Sequence, residues 1–226
     1  NYPLILPLCA SFEALVTGNN VVLKPSEQTP LTSVLLKKIW DQSLPDYRDT
    51  FQIVIGLGDA AEKVIASPNV NVVCFTGSTN VGRKVATQCA SLLKPVILEM
   101  GGVDPMVVMD DANIERATKA ITWGSFSNAG QTCISTERVY IHSSIFEDIV
   151  SMLREEVSKL SSGSKLENQV GAICTPENLE KIKRHIKESD SKETIAGSSR
   201  QDSSMFVAPT ILVEPDPSSS INAEET

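Results

Sequence analysis

From residue 20 to about residue 98, short apolar runs alternate with amphipathic stripes. The runs predict strands at 21–23, 51–55, 70–75 and 95–98. Between them, 32–41, 60–66 and 78–92 carry helical patterns, the last with Ser78 or Thr79 as its cap. Strands and helices alternating at this spacing define βαβ units and a parallel sheet. The nearly unbroken apolar run 70–75 predicts a strand covered on both faces.

Past Gly102 the rhythm changes. Strands are predicted at 106–109 and 139–141, with a helix over 114–126. A long helix follows, with Phe146, Ile149, Val150, Leu153, Val157 and Leu160 on one stripe. Thr175 caps a further helix whose first residue is Pro176 and whose inward positions are Leu179, Ile182 and Ile186. The Ser-rich stretch 188–204 predicts an exposed hairpin or mobile loop. The expected fold class is α/β, with open twisted parallel sheets and helices on both faces. Gly101 and Gly102 mark the natural boundary, giving domains 1–100 and 101–226.

Composition narrows the field. The 226 residues are 41% hydrophobic, as in an ordinary globular protein. No apolar stretch approaches the ~20 residues of a membrane helix. A formal charge of -8 argues against general affinity for nucleic acid or anionic membranes, so neither is an expected partner. The chain starts at Asn1 and stops at Thr226, carries no address signal at either end, and reads as cut from something longer.

Five cysteines form no C-x-x-C pair and no metal-ligand spacing, so no metal site is expected. An odd number in a chain this large predicts reduced thiols in a cytoplasmic setting. Cys9, Cys74 and Cys89 are expected as small buried hydrophobes, and Cys174 as structural. Only Cys133 lies in a polar, glycine-bearing loop, 128–134. A thiol is a useful nucleophile only where water, substrate and an activating environment reach it. Glu99, ending an apolar strand just before two glycines, is a candidate general base. Of the two histidines, His142 ends a strand and His185 falls in a charged run expected on a solvated face. Neither fits a Cys–His pair.

Two segments could hold a nucleotide. At Phe75, Thr76, Gly77, Ser78 a strand runs into a helix whose free N–H groups would face an anion. At Lys24, Pro25, Ser26, Glu27 a lysine could meet adenosine or its phosphate, and the glutamate a ribose diol. Gly77 to Lys84 fails as a hydrolase phosphate loop: Arg83 stands at the lysine position and no Ser or Thr follows. No G-x-G-x-x-G fingerprint is present either.

Taken together, these motifs resemble the aldehyde dehydrogenase superfamily over nearly the whole chain: Asn1 to Leu4, Lys24 to Pro30, Phe75 to Gly82, Leu98 to Gly102, and Gly130 to Cys133 with Arg138. The resemblance implies two Rossmann-like domains, the first the later part of the NAD(P)-binding domain and the second the thiol-bearing catalytic domain. It implies Cys133 as nucleophile, Glu99 as general base and Asn1 as an oxyanion-hole donor. Lys24 and Glu27 would meet the adenosine ribose, with Ser26 between them also expected to bind the cofactor and Glu27 favouring NAD over NADP. Gly77 and Ser78 match the pyrophosphate turn, and Glu225 the contact to the nicotinamide ribose. The implied reaction oxidises an aldehyde to an acid through a thiohemiacetal and a thioester on Cys133.

The family's homodimers or homotetramers imply a homo-oligomeric parent protein. A non-catalytic relative and a CoA-acylating relative are the alternatives. Intact Asn1, Glu99 and Cys133 oppose the first; retention of a water-activating Glu99 opposes the second. Val103 stands where the family commonly has Lys. Family polypeptides are about twice this length, so this piece alone is expected to be poorly stable and weakly active. Trp123, Phe126 and Ile134 are candidates for the substrate pocket, or plain core.

Overall fold

The computed structural model describes residues 1–199 and 205–226, which form two compact units. One comprises Tyr2–Met100; the other comprises Gly101–Thr226 together with Asn1.

In the first unit the order is α1 (Ile5–Val16), β1 (Val21–Leu23), α2 (Pro30–Ser43), β2 (Phe51–Ile53), α3 (Gly58–Ala66), β3 (Val73–Gly77), α4 (Thr79–Ser91) and β4 (Val96–Met100). β1 pairs in parallel with β2, and β3 with β4. Each pair is bridged by helices, as a parallel connection requires. Ile65 of α3 with Val85 and Cys89 of α4 make the core, against Val73, Phe75, Val96 and Leu98. Those four strand residues share one face because side chains alternate across a strand. Cys74, Thr76, Ile97 and Glu99 therefore face the other way, and all four are exposed.

The expectation of a strand covered on both faces is thus corrected. β3 starts at Val73, ends at Gly77, and buries one side only. Cys89 is fully buried, whereas Cys9 and Cys74 are exposed, against the expectation of small buried hydrophobes. The reason is the same alternation: Cys74 occupies the uncovered face of β3. Apolar residues elsewhere in the unit are also open to solvent, including Leu31, Leu35 and Ile39 of α2.

The second unit runs β5 (Pro105–Val108), α5 (Ile114–Phe126), β6 (Arg138–Ile141), α6 (Phe146–Ser158), β7 (Ser161–Ser162), α7 (Pro176–Glu188), β8 (Glu193–Ala196), β9 (Ser198–Ser199) and β10 (Thr210–Val213). β5 pairs in parallel with β6 and β7 with β9, while β8 and β10 run antiparallel. The stripe on α6 buries Ile149, Val150, Leu153 and Val157. Ile149 and Leu153 join Val108 and Ile121 in the main core, and Val150 and Val157 pack with Ile195. Each such aliphatic contributes on the order of 1.5–3 kcal/mol of burial.

The helix starts follow from capping. Ser78, Asn113 and Thr175 each accept the backbone N–H three residues on, from Val81, Arg116 and Asn178. Part of the Ser-rich stretch is ordered sheet, with Ile195 of β8 buried, so the loop expectation holds only in part. Its last residues, 200–204, lie outside the described residues. Among the described residues, no helix is long and apolar enough to cross a membrane.

Candidate active site

Cys133 is exposed, in the loop between α5 and β6. Asn128, Ala129 and Gly130 leave α5 through three successive left-handed conformations, with φ of 53°, 59° and 73°. Only glycine adopts this freely, so the turn stores backbone strain of the kind found at functional sites. Gln131 secures it. Its Nε2 donates to the carbonyls of Asn128 (3.0 Å) and Ala172 (3.2 Å), and its Oε1 accepts the N–H of Cys174 at 2.7 Å.

On the far side of the thiol, Thr136 N–H donates to Gly124 O (3.0 Å), and Ser125 Oγ to Thr136 O (2.8 Å). Arg138 opens β6 with its guanidinium on the carbonyl of Val103, at 3.1 Å from Nε and 2.6 Å from Nη2. Val103 is thus held through its backbone carbonyl. The exposed thiol is carried by a loop tied down at both ends.

Asn1 belongs to the same unit as Cys133. Its carbonyl accepts from Asn128 Nδ2 at 3.5 Å, and the same amide donates to Gln131 O at 3.1 Å. Asn128 thereby links Asn1 to the loop that carries the thiol. Glu225 is in this unit as well, its carboxylate set so closely against Gly101 that a Cβ there would overlap it.

The remaining candidates lie in the other unit. Glu99 is on β4 opposite Thr76 and is exposed. Partial burial pushes the thiol of Cys74, on the same face, upward, and Glu99 and Glu13 add to the shift. Gly77 ends β3 and Ser78 caps α4, its Oγ accepting Val81 N–H at 3.4 Å. Lys24 and Glu27 meet in an ion pair at 3.1 Å. Glu27 is held below the usual carboxylate range by a backbone hydrogen bond and by Lys24. Ser26 is exposed, its Oγ accepting Gln28 N–H at 3.2 Å.

Two expectations change. His185 is fully buried rather than on a solvated face, one helical turn after the partly buried Ile182 and one before the buried Ser189. The imidazole reaches Thr226 Oγ1 and Glu224 Oε2 at 2.8 and 3.3 Å. Trp123 and Ile134 are 75% and 80% exposed, so neither is core. Phe126 packs against the Val150, Val157 and Ile195 cluster. The sequence gives no advance signal for the roles of His185 and the Gln131 clasp, which depend on partners 40 or so positions away.

An exposed thiol on a pinned loop, in an α/β chain of parallel strand pairs, defines a candidate thiol enzyme. The sequence profile of the aldehyde dehydrogenase family matches residues 1–226, and the chain belongs to that family. It is 37% identical over its whole length to a 4,4'-diapolycopene-4,4'-dial dehydrogenase of Cytobacillus firmus, covering 49% of that protein. Identity to an Escherichia coli succinate-semialdehyde dehydrogenase [NADP(+)] is 32%, over 100% of this chain and 48% of the relative. The crystal structure of lactaldehyde dehydrogenase from Escherichia coli superposes with a TM-score of 0.91 at 31% identity, over 99% of this chain and 48% of that one. The chain spans about half the length of these relatives.

Proposed function

We propose that the protein containing this chain oxidises an aldehyde to a carboxylic acid with a nicotinamide dinucleotide, and that Cys133 is the nucleophile. The observation that carries this reading is the exposed Cys133 on a loop clasped by Gln131 and linked to Asn1 through Asn128. The thiolate adds to the carbonyl carbon, forming the C–S bond and a tetrahedral alkoxide. A free thiol has a pKa of about 8.5, so the assembled site has to favour the anion. Asn1 and the Cys133 backbone N–H serve as oxyanion donors, each of a kind worth about 2.7–4 kcal/mol.

In this reading residues 1–100 belong to the cofactor-binding domain and 101–226 to the catalytic domain. The residues present fit a dinucleotide. The capped start of α4 at Gly77 and Ser78 suits a pyrophosphate, Lys24 with Glu27 an adenosine ribose, and Glu225 the nicotinamide ribose. The bound cofactor supplies the hydride acceptor. Loss of hydride from the alkoxide leaves a thioester on Cys133. Glu99 then takes a proton from water, whose oxygen attacks the thioester carbon, breaking the C–S bond and releasing the acid and the thiolate. Glu27 favours NAD, although one relative's name specifies NADP.

The partner molecule is a small aldehyde, and the intact protein is a homodimer or homotetramer. Five free thiols suit a reducing compartment, the cytoplasm. The test is NADH absorbance at 340 nm from intact protein supplied with NAD and a panel of aldehydes. Turnover that Cys133→Ser abolishes supports the reading; turnover that survives this substitution refutes it.

A further inference from the structure

Residues 224–226 are held on both sides of Glu225. Glu224 Oε2 accepts from Arg184 Nη2 at 2.9 Å and lies 3.3 Å from His185 Nε2. Thr226 Oγ1 lies 2.8 Å from His185 Nδ1, and Thr226 N–H donates to Glu137 Oε2 at 3.4 Å. One imidazole, fully buried on α7, therefore bonds the two residues that bracket Glu225.

Both ring nitrogens have partners: Nε2 lies 3.3 Å from Glu224 Oε2, which can only accept, and 3.4 Å from Arg184 Nη2, which can only donate, while Nδ1 faces the Thr226 hydroxyl, which can do either. Neither bond touches Glu225 itself. They hold the side chains on either side of Glu225, whose own carboxylate lies against Gly101. A burial site on α7 would be served as well by an aliphatic residue at this position. A histidine there leaves two polar nitrogens to satisfy, and both are satisfied by the segment that carries Glu225.

We propose that His185 is a positioning residue for the Glu225 carboxylate, tuning how tightly the nicotinamide end of the cofactor is held. The inference rests on the reading of Glu225 as a cofactor contact. It assigns Thr226 the second half of the same clamp.

The test measures NADH affinity by fluorescence titration, with steady-state KM and kcat, on intact protein. His185→Phe keeps the volume and removes both hydrogen bonds. It is expected to weaken NADH binding and raise the NAD KM about tenfold, with a smaller change in kcat. His185→Asn, whose amide reproduces the reach of Nδ1 toward Thr226, should recover part of the loss. Thr226→Val removes one hydroxyl and should give a loss in the same direction, which keeps the test alive if His185→Phe does not fold. Glu225→Gln separates the two levels of inference. If Glu225→Gln weakens NADH binding while His185→Phe and Thr226→Val leave it unchanged, the positioning role is wrong and the Glu225 reading stands. If Glu225→Gln has no effect, the Glu225 reading itself fails. Addition of His185→Phe to Glu225→Gln should cost less than about twofold more, since the two act through one carboxylate; full additivity would overturn the proposal.

Discussion

The side-chain oxygen of Gln131 accepts the backbone N–H of Cys174 at 2.7 Å, across 43 positions of sequence. The same amide donates to the carbonyls of Asn128 and Ala172, so one side chain closes the turn before Cys133 and ties it to the segment ahead of α7. Gln131→Ala removes all three bonds. Water can replace some of them at this half-exposed site, so the expected cost is about 1–2 kcal/mol of stability. The larger effect should fall on the thiol. Mass-spectrometric tracking of iodoacetamide labelling at Cys133, alongside turnover, should show altered reactivity and a lower kcat. Wild-type labelling and turnover in Gln131→Ala would show that the clasp does not position Cys133.

Glu27 and Lys24 form an ion pair on the loop after β1. If Glu27 crowds a 2′-phosphate, Glu27→Gln should narrow the preference for NAD over NADP by roughly tenfold, about 1.4 kcal/mol. The ratio of kcat/KM for the two coenzymes measures it. An unchanged ratio would remove Glu27 from coenzyme selection.

Periodicity makes most of the helices and strands legible in the sequence. The helix predicted over 114–126 matches α5, and Thr175 with Pro176 opens α7 through the expected cap. These features are local, and local patterns are what a sequence exposes. β8, β9 and β10 were not legible, because two- and four-residue strands in Ser-rich surroundings gain their register from distant partners. The burial of His185 is hidden from the sequence for a related reason. Its neighbours Lys183, Arg184 and Lys187 are exposed, but position 185 lies one turn after the partly buried Ile182 and one turn before the buried Ser189. Cys133 and its loop stood out through composition alone, whereas the Gln131 clasp needed three-dimensional contacts.

Glu99 sits on the exposed face of β4, directly opposite Thr76 of β3. In the proposed chemistry it acts only after the hydride has left. Glu99→Gln in the intact protein should therefore give a burst of NADH close to one equivalent per site, followed by slow turnover. Stopped-flow absorbance reads both phases. Loss of the burst together with turnover would mean that Glu99 acts before the thioester forms; full steady-state turnover would mean that it does not activate water.

Burial pushes the carboxyl of Glu137 up to about 7, with Glu225 and Asp104 adding to the rise while the Thr226 N–H and Lys181 oppose it. A carboxyl raised in the folded state stabilises that state in its protonated form. The contribution is complete below the ordinary glutamate value of 4.5 and is lost as pH rises through about 7. Thermal melting between pH 5 and pH 8 should show this loss, and Glu137→Gln, which cannot ionise, should flatten it. An identical pH profile in wild type and Glu137→Gln would place the titration elsewhere.

Gly130 has φ of 73°, and a Cβ there would come within 3.1 Å of the Ser125 carbonyl oxygen. Asn128 and Ala129 before it already occupy the left-handed region, so little slack remains in the turn. Gly130→Ala should cost about 1–2 kcal/mol from backbone conformation alone. If the turn relaxes instead, the bonds from Gln131 to Asn128 and Cys174 cannot all persist, and the thiol three residues on moves with them. Either route predicts a lower melting temperature, and the second adds a fall in kcat larger than the stability loss explains. Comparison with Gly18→Ala, where φ is 86° and no atom lies within 4 Å of the added Cβ, separates conformational strain from the effect on the loop that carries Cys133. Equal losses of activity in the two variants would show that the turn at Gly130 has no special hold on Cys133.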